Sequence, residues 1–247
     1  MMRPRHIAPS ILLFAGHIMF GGTSGAQSWQ DAKPQDVSGA YYAAAAKYAG
    51  QRQYRMGVEV ASYRDLTDKE PHEVVACDIR KSGDLYRADH FGRVSYQEGR
   101  MKVMVVPDQR TVVLGAGQEA FQMLGAEIQK EMFTKAVKAT RSSDHREARY
   151  RLYLTKAYKW EYIEFAFGTD GWMKQLALVQ AEPMAVDPGN PLTAIVRPRV
   201  VFSFETPRPL DLSTDELSWT NVLALSGTSA KAIGPYAGYE VIDTRPR

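Results

Sequence analysis

Three stretches of the chain hold residues whose types and spacing could do chemistry. The first is Gly115-Ala116-Gly117-Gln118-Glu119-Ala120. A G-x-G-x-x-A run that follows an apolar strand and opens a helix is the arrangement that cradles a dinucleotide pyrophosphate. That fingerprint needs a βαβ unit. Here the preceding apolar runs are separated by the hairpin-type turns Glu98-Gly99 and Pro107-Asp108, and no strand ending in an acid follows promptly. The glycines then serve the bend from strand to helix, and Glu119 suits a helix N-terminus. The second stretch, His72-Glu73-Val74-Val75-Ala76, opens like a zinc-binding H-E-x-x-H motif but has alanine where the second histidine is required. The third surrounds Cys77, the single cysteine. It lies in the strand-like run "EVVACDIR" and reads as a small buried hydrophobe, because a nucleophile would need a histidine brought beside it. No G-x-S-x-G nucleophile elbow is present. Asp78, Asp89 and Asp108 fall at strand edges or turns and form no evident pair. The sequence thus implies no cofactor and no metal, and it reads as a non-enzymatic protein.

The positive signal is apolar. Met56, Val58, Met101, Val103, Val105, Ile163, Phe165, Phe167, Phe202 and Phe204 recur on inward-type faces of alternating strands, and Phe121 and Leu124 lie on an amphipathic helical pattern able to cover them. Ordinary core packing accounts for such residues in any sheet protein. The functional reading is a ligand cavity, in which a sheet lined by flexible methionines and aromatic rings takes an acyl chain or another elongated apolar molecule.

The elements that must position these residues are mostly strands. Residues 36–50 are rich in alanine, with Asp36 or Ser38 as a cap and Gly50 as a stop, and predict a helix with Tyr41, Tyr42, Ala45 and Tyr48 towards one side. Tyr54, Met56, Val58 and Val60 then alternate with polar residues, the signature of a half-buried antiparallel strand. Val75, Cys77 and Ile79 continue the pattern, followed by "LYRADH", "RMKVMVV" and "RTVVLG". A long helix is predicted from Gln118 to about Arg141, on the recurrence of Phe121, Leu124, Ile128, Met132 and Val137. Beyond it, "ARYRLYL" alternates, residues 160–180 form a hairpin around Thr169-Asp170-Gly171, the stretch 181–198 with its four prolines is a loop, and "RVVFSFE" is a strand. "LSTDELSWTNVLAL" predicts a short helix capped by Ser213, and "YEVIDT" a last strand. The fold class is α+β and mainly antiparallel β, with roughly ten strands of the short, hairpin-linked kind.

The chain has 247 residues, with 45% hydrophobic and 24% charged side chains, which are globular values. Residues 1–26 do not belong to the fold. A basic start (Arg3, Arg5), an apolar middle and small residues at Ser24 and Ala26 describe a signal peptide cut after Ala26. The remaining 27–247 is read as one domain, periplasmic or secreted. Loss of Arg3 and Arg5, with no acid, lowers the net charge from +3 to +1. That is no nucleic-acid-binding balance. No other stretch reaches the ~18 apolar residues of a membrane span.

A tyrosine-rich helix "YYAAAAKYAG" after a signal, the strand "YRMGVEVASYRD", then "DIRKSGDLYRADH" and "GRVSYQEGRMKVMVVPDQRTVVL" follow one another in an order that resembles the periplasmic lipoprotein-carrier family (LolA/LolB-like and related outer-membrane lipoprotein-sorting proteins). The resemblance covers about residues 37–205 and leaves 206–247 without a counterpart. It implies a curved, unclosed β-barrel (half-barrel), helices over its concave face, and a bound lipid or lipoprotein acyl chain. The expected function is an exported binding protein for such a ligand in envelope lipid or lipoprotein handling. The alternatives are an envelope protein-interaction or structural module with a solid core, and a hydrolase whose site is assembled only in space.

Overall fold

The computed structural model describes residues 28–117, 130–186, 189, 193–210, 213–227 and 229–245. In chain order the elements are β1 (Gln30–Ala32), α1 (Pro34–Gly50), β2 (Gln53–Tyr63), β3 (Glu73–Ser82), β4 (Leu85–His90), β5 (Arg93–Glu98), β6 (Met101–Val106), β7 (Thr111–Ala116), α2 (Lys130–Thr134), β8 (Lys138–Ser143), β9 (Glu147–Tyr153), β10 (Trp160–Gly168), β11 (Met173–Gln180), β12 (Met184–Ala185), β13 (Ile195–Val196), β14 (Arg199–Phe204), β15 (Leu223–Ser226), β16 (Ser229–Ala232) and β17 (Glu240–Asp243).

Thirteen strands form one unclosed sheet in the order β1-β8-β9-β10-β11-β14-β2-β3-β4-β5-β6-β7-β17. Every neighbouring pair is antiparallel except the last, where β17 lies parallel to β7. The sheet curves into a half-barrel, and the two α-helices cover its concave, inner face. β4 and β5 are joined by the two-residue turn Phe91-Gly92, and both residues have positive φ, 49° and 69°. That is the turn geometry whose twist suits a tight hairpin, and it favours glycine in the second position.

α1 begins at Pro34, two residues before the predicted cap. Proline suits the first helical position, and the Asp36 carboxylate accepts the Lys33 backbone N–H at 3.1 Å. Its buried side is Val37, Tyr41, Ala44 and Tyr48, at steps of three and four residues. Tyr42, predicted to share that side, is 42% exposed. At the other end, Lys81 on β3 donates to the carbonyls of Ala49 and Gln51. A cation among the last carbonyls satisfies groups that the helix leaves without partners.

The long helix predicted over 118–141 is corrected. Residues 118–129 lie outside the described residues. α2 spans only Lys130–Thr134, and Lys138–Ser143 is a strand paired on both sides, with β1 and with β9. Pairing on one edge along 138–143 and on the other at 139–141 satisfies most backbone groups of this short segment, which outweighs a helical period carried by only Met132 and Val137; Val137 is 67% exposed. The helix predicted around Ser213 is also corrected. Two 3₁₀ turns, Thr214–Leu217 and Trp219–Asn221, lead into β15, and the Ser218 hydroxyl, not Ser213, accepts a backbone N–H, that of Thr220. The loop 181–198 contains the small β12–β13 pair.

Among the described residues, buried apolar side chains gather in two clusters. The larger lies on the inner face under α1 and α2. The smaller joins Tyr96, Val103, Val105, Val112 and Leu114 to Val222, Leu223 and Ala232 of the C-terminal segment. Facing residues in a register pair lie on one side of a sheet, so the register decides which face each cluster occupies. Met56, Ile79, Ala88, Ser95, Met104 and Val113 are successive partners from β2 to β7. Val103 and Val105 have the other parity and point outward. The C-terminal segment therefore covers the outer face of β5 to β7, and its last strand extends the sheet beyond β7.

Candidate functional site

The inner face is built of cross-strand rows. One runs Tyr150–Phe165–Leu176–Phe202–Val60–Val75 over six strands. Beside it stand Leu152–Ile163–Leu178 and Phe204–Val58–Cys77. Alternation in each strand sends these residues to one side, and aromatic and branched partners on neighbouring strands stabilise the pairing. Phe165 and Phe167 stack with ring centroids 6.3 Å apart and planes 8° from parallel. α1 lies on this surface: Tyr41 meets Phe165 at 5.7 Å and Phe133 of α2 at 5.4 Å, while Tyr48 meets Trp172 at 4.7 Å. The Tyr48 hydroxyl donates to the Met173 carbonyl at 3.3 Å. Burial raises the Tyr48 and Tyr54 phenols well above their ordinary pKa, so both stay neutral donors.

Of the residues predicted to line a cavity, Met56, Val58, Ile163, Phe165, Phe167, Phe202 and Phe204 come together here, each exposed by 6% or less. Met101, Val103 and Val105 do not. They belong to the outer cluster, where Val103 and Val105 are fully buried beneath the C-terminal segment. The expectation that they share one lining with Met56 is corrected, because the register places them on the opposite face. Phe121 and Leu124 lie outside the described residues. Sequence reasoning missed Phe133, Trp172 and Met173. Phe133 and Met173 adjoin Met132 and the turn at Asp170, and nothing in their spacing marks them as inward.

The inner face changes character across the sheet. On β8 to β11, β14 and β2 it is almost wholly apolar. On β3 to β6 it carries the row Lys81–Tyr86–Gln97–Lys102, with Ser95, His90 and Arg93 beside it. Lys81, Ser95 and Gln97 are buried. His90 and Ser95 are in hydrogen-bond contact at 3.1 Å. Desolvation lowers the Lys81 and Lys102 ammonium pKa values from the ordinary one; an opposing contribution from Asp84 acts on Lys81. The His90 pKa is lowered first by burial and then by Lys102 and Arg93. At the C-terminal end of α1 a cleft of about 220 Å³ opens between Gln51, Tyr54, Trp172 and the stretch 207–210.

The residues singled out for chemistry have structural partners. Gly115 and Gly117 stand where backbone and side chains approach closely. A Cβ on Gly115 would lie 2.8 Å from the Thr244 hydroxyl oxygen, and one on Gly117 2.9 Å from the Gly99 carbonyl oxygen. Gly115 lies between an antiparallel and a parallel neighbour, not in a βαβ unit. Burial pushes the Cys77 thiol up to about 11. Among the described residues no group of three or more His, Cys, Asp or Glu side chains is placed to hold a metal ion. Among them also, no helix is long and apolar enough to cross a membrane.

No family model and no curated protein matches the chain. Among solved structures, the chain is similar to a LolA superfamily protein from Nitrosomonas europaea, at 8% identity and a TM-score of 0.33, over 73% of this chain and 96% of that one. It is also similar to a DUF1329 family protein from Desulfovibrio piger, at 8% identity and a TM-score of 0.36, over 76% of this chain and 99% of that one.

Proposed function

We propose that this is an exported, non-enzymatic binding protein that holds an acyl chain or similar apolar ligand against the inner face of the half-barrel, in envelope lipid or lipoprotein handling. One observation carries the reading: a continuous apolar surface, six strands wide and rich in Phe and Met, is covered from an unclosed side by short helical elements rather than by a second sheet. A helix laid over a concave face can move away from it without breaking the sheet's hydrogen bonds. The surface it uncovers is the kind that takes an elongated apolar molecule. Residues 1–26 supply the export signal in this reading, and Met56, Val58, Ile163, Phe165, Phe167, Phe202 and Phe204 supply the lining.

A second reading has its own observation. The same seven residues are nearly closed to solvent by the chain's own side chains, as in the solid core of a structural or protein-interaction module. Native mass spectrometry of protein purified from cells, with uptake of a fluorescent fatty acid, separates the two. Co-purified lipid and saturable uptake, lost in a folded Phe165→Glu variant, support the binding reading. Absence of both rejects it in favour of the solid core.

A further inference from the structure

The cleft at the C-terminal end of α1 holds two donors that the protein leaves unused. It encloses about 220 Å³ between Gln51, Gln53, Tyr54, Trp172 and the stretch 207–210. Tyr54 is 2% exposed and Trp172 9%. The polar group of a buried Tyr or Trp normally finds a partner. Among the described residues, neither the Tyr54 hydroxyl nor the Trp172 indole N–H has one. The side-chain atoms there that are both unpaired and sealed from solvent are the Thr140 hydroxyl and the Arg199 Nε. The Tyr54 and Trp172 groups are therefore unpaired yet reached by solvent, and the cleft is the space that both residues line.

The rest of the lining narrows what fits. Lys47 lies over the Trp172 ring at 4.3 Å and Tyr48 packs against it at 4.7 Å, so the ring is engaged and the N–H on its edge is what it offers. Tyr54 stays a neutral donor, because burial raises its phenol well above the ordinary pKa. Gln53 donates an amide N–H to the Ser82 hydroxyl at 3.0 Å, which leaves its amide oxygen as an acceptor. Arg208, the charged residue of the lining, is paired with Glu205. Pro207, Pro209 and Leu210 add apolar wall. An ionic ligand finds no unpaired counter-charge in this lining, and burying it there is costly. A neutral amide suits it, since its carbonyl accepts and its N–H donates. An apolar cavity of about 150 Å³ already takes benzene, so the cleft has room for an acetamido group and part of what carries it.

We propose that this cleft binds the acetamido group of a small neutral ligand. Its carbonyl oxygen accepts from the Tyr54 hydroxyl and the Trp172 indole N–H, its amide N–H donates to the Gln53 amide oxygen, and its methyl group lies against the proline wall. The contact is hydrogen bonding and packing; no covalent bond is made or broken. The site is separate from the apolar rows of the inner face and stands whether or not those rows take an acyl chain. N-acetylated sugars and N-acetylated amino acid amides share the group, and the two arms of the test tell them apart.

The test is a nitrogen-15 NMR titration that follows the indole N–H resonance of Trp172 among the four tryptophans. The probes are N-acetylglucosamine and N-acetylalanine methylamide, with glucose as the control that has a sugar ring and no amide. At least one probe moves the Trp172 resonance saturably and leaves the other three in place, and the tighter probe names the source. Glucose does not move it. Tyr54→Phe removes a hydroxyl that bonds to nothing in the protein, so its Tm stays at or above the wild-type value. The same variant binds the probe about two- to tenfold more weakly, the worth of one hydrogen bond. No shift with either probe leaves the cleft to water and overturns the proposal. An equal shift with glucose, or undiminished affinity in Tyr54→Phe, overturns it too. A marked fall in Tm in Tyr54→Phe assigns the hydroxyl a partner within the protein, with the same consequence.

Discussion

Replacing Phe165 by alanine probes the inner face at its centre. The side chain is fully buried, faces Tyr150 and Leu176 across the sheet, and meets Tyr41, Phe133 and Phe167 ring to ring. Truncating a buried Phe costs about 3–5 kcal/mol, and contact with two helices as well as the sheet limits collapse, so about 4 kcal/mol is expected. At about 2–4 °C per kcal/mol for a chain of this size, Tm falls by about 8–16 °C. The matched control is Leu114→Ala, equally buried but in the outer cluster, with an expected cost of about 2–5 kcal/mol. The two variants then separate in the presence of a fatty acid. The Phe165→Ala cavity opens onto the proposed binding surface, and a ligand at about 100 times its Kd returns about 2.7 kcal/mol. Differential scanning fluorimetry with and without oleate should show Phe165→Ala gaining more in Tm than the wild type, and Leu114→Ala gaining the same as the wild type. Equal extra rescue of both variants would place the ligand away from the inner face. A Phe165→Ala protein that melts with the wild type would refute the packing argument itself.

Three further outcomes follow from the same geometry. Lys81→Met removes two charge-assisted hydrogen bonds to the end of α1 and should cost about 1–3 kcal/mol, with faster amide hydrogen exchange confined to the last turn of the helix; unchanged exchange there would show that Lys81 does not hold it. The folded-state His90 pKa lies below the ordinary value of about 6.5, so the unfolded chain binds more protons in that window and stability is present above about pH 6.5 and lost as pH falls through the folded value. His90→Gln should flatten the dependence of Tm on pH below about 6.5, and an unchanged slope would assign it to other groups. Cys77 is 4% exposed with its thiol pushed up to about 11, so Ellman's reagent at pH 8 should leave the native protein unmodified and titrate one thiol after denaturation. Fast reaction of the native protein would contradict the burial.

Much of the sheet was legible because one face of most strands is covered by residues of one type. Tyr54, Met56, Val58 and Val60, and Ile163, Phe165 and Phe167, alternate against polar neighbours that make ion pairs on the outer face, such as Glu164 with Arg149 and Arg151. Period two is then unambiguous. The segment around 138–143 failed for the opposite reason. Its strand character comes from partners distant in sequence, β1 and β9, and its own alternation is weak because Ala139 faces inward while Thr140 and Ser142 are also buried. Nothing local distinguishes that from the end of a helix. The 3₁₀ turns at 214–221 likewise answer to the surface they pack on: Leu217 and Val222 are buried, while Ser213 caps nothing.

The error over Met101, Val103 and Val105 has its cause in the strand itself. In "RMKVMVV" both parities carry apolar residues, Met101, Val103 and Val105 on one and Met104 and Val106 on the other. A strand covered on both faces loses the contrast that tells inside from outside, and only its register with β5 and β7 restores it. That register makes the larger apolar set face the C-terminal segment, and it leaves Lys102 and Met104 facing inward beside Gln97 and Ser95. The side chains that β6 turns inward are thus Lys102, Met104 and Val106, the opposite parity to Met101, Val103 and Val105. The polar half of the inner face follows from the same inversion, because an inner face at β6 made of Val103 and Val105 would have continued the apolar surface across the sheet.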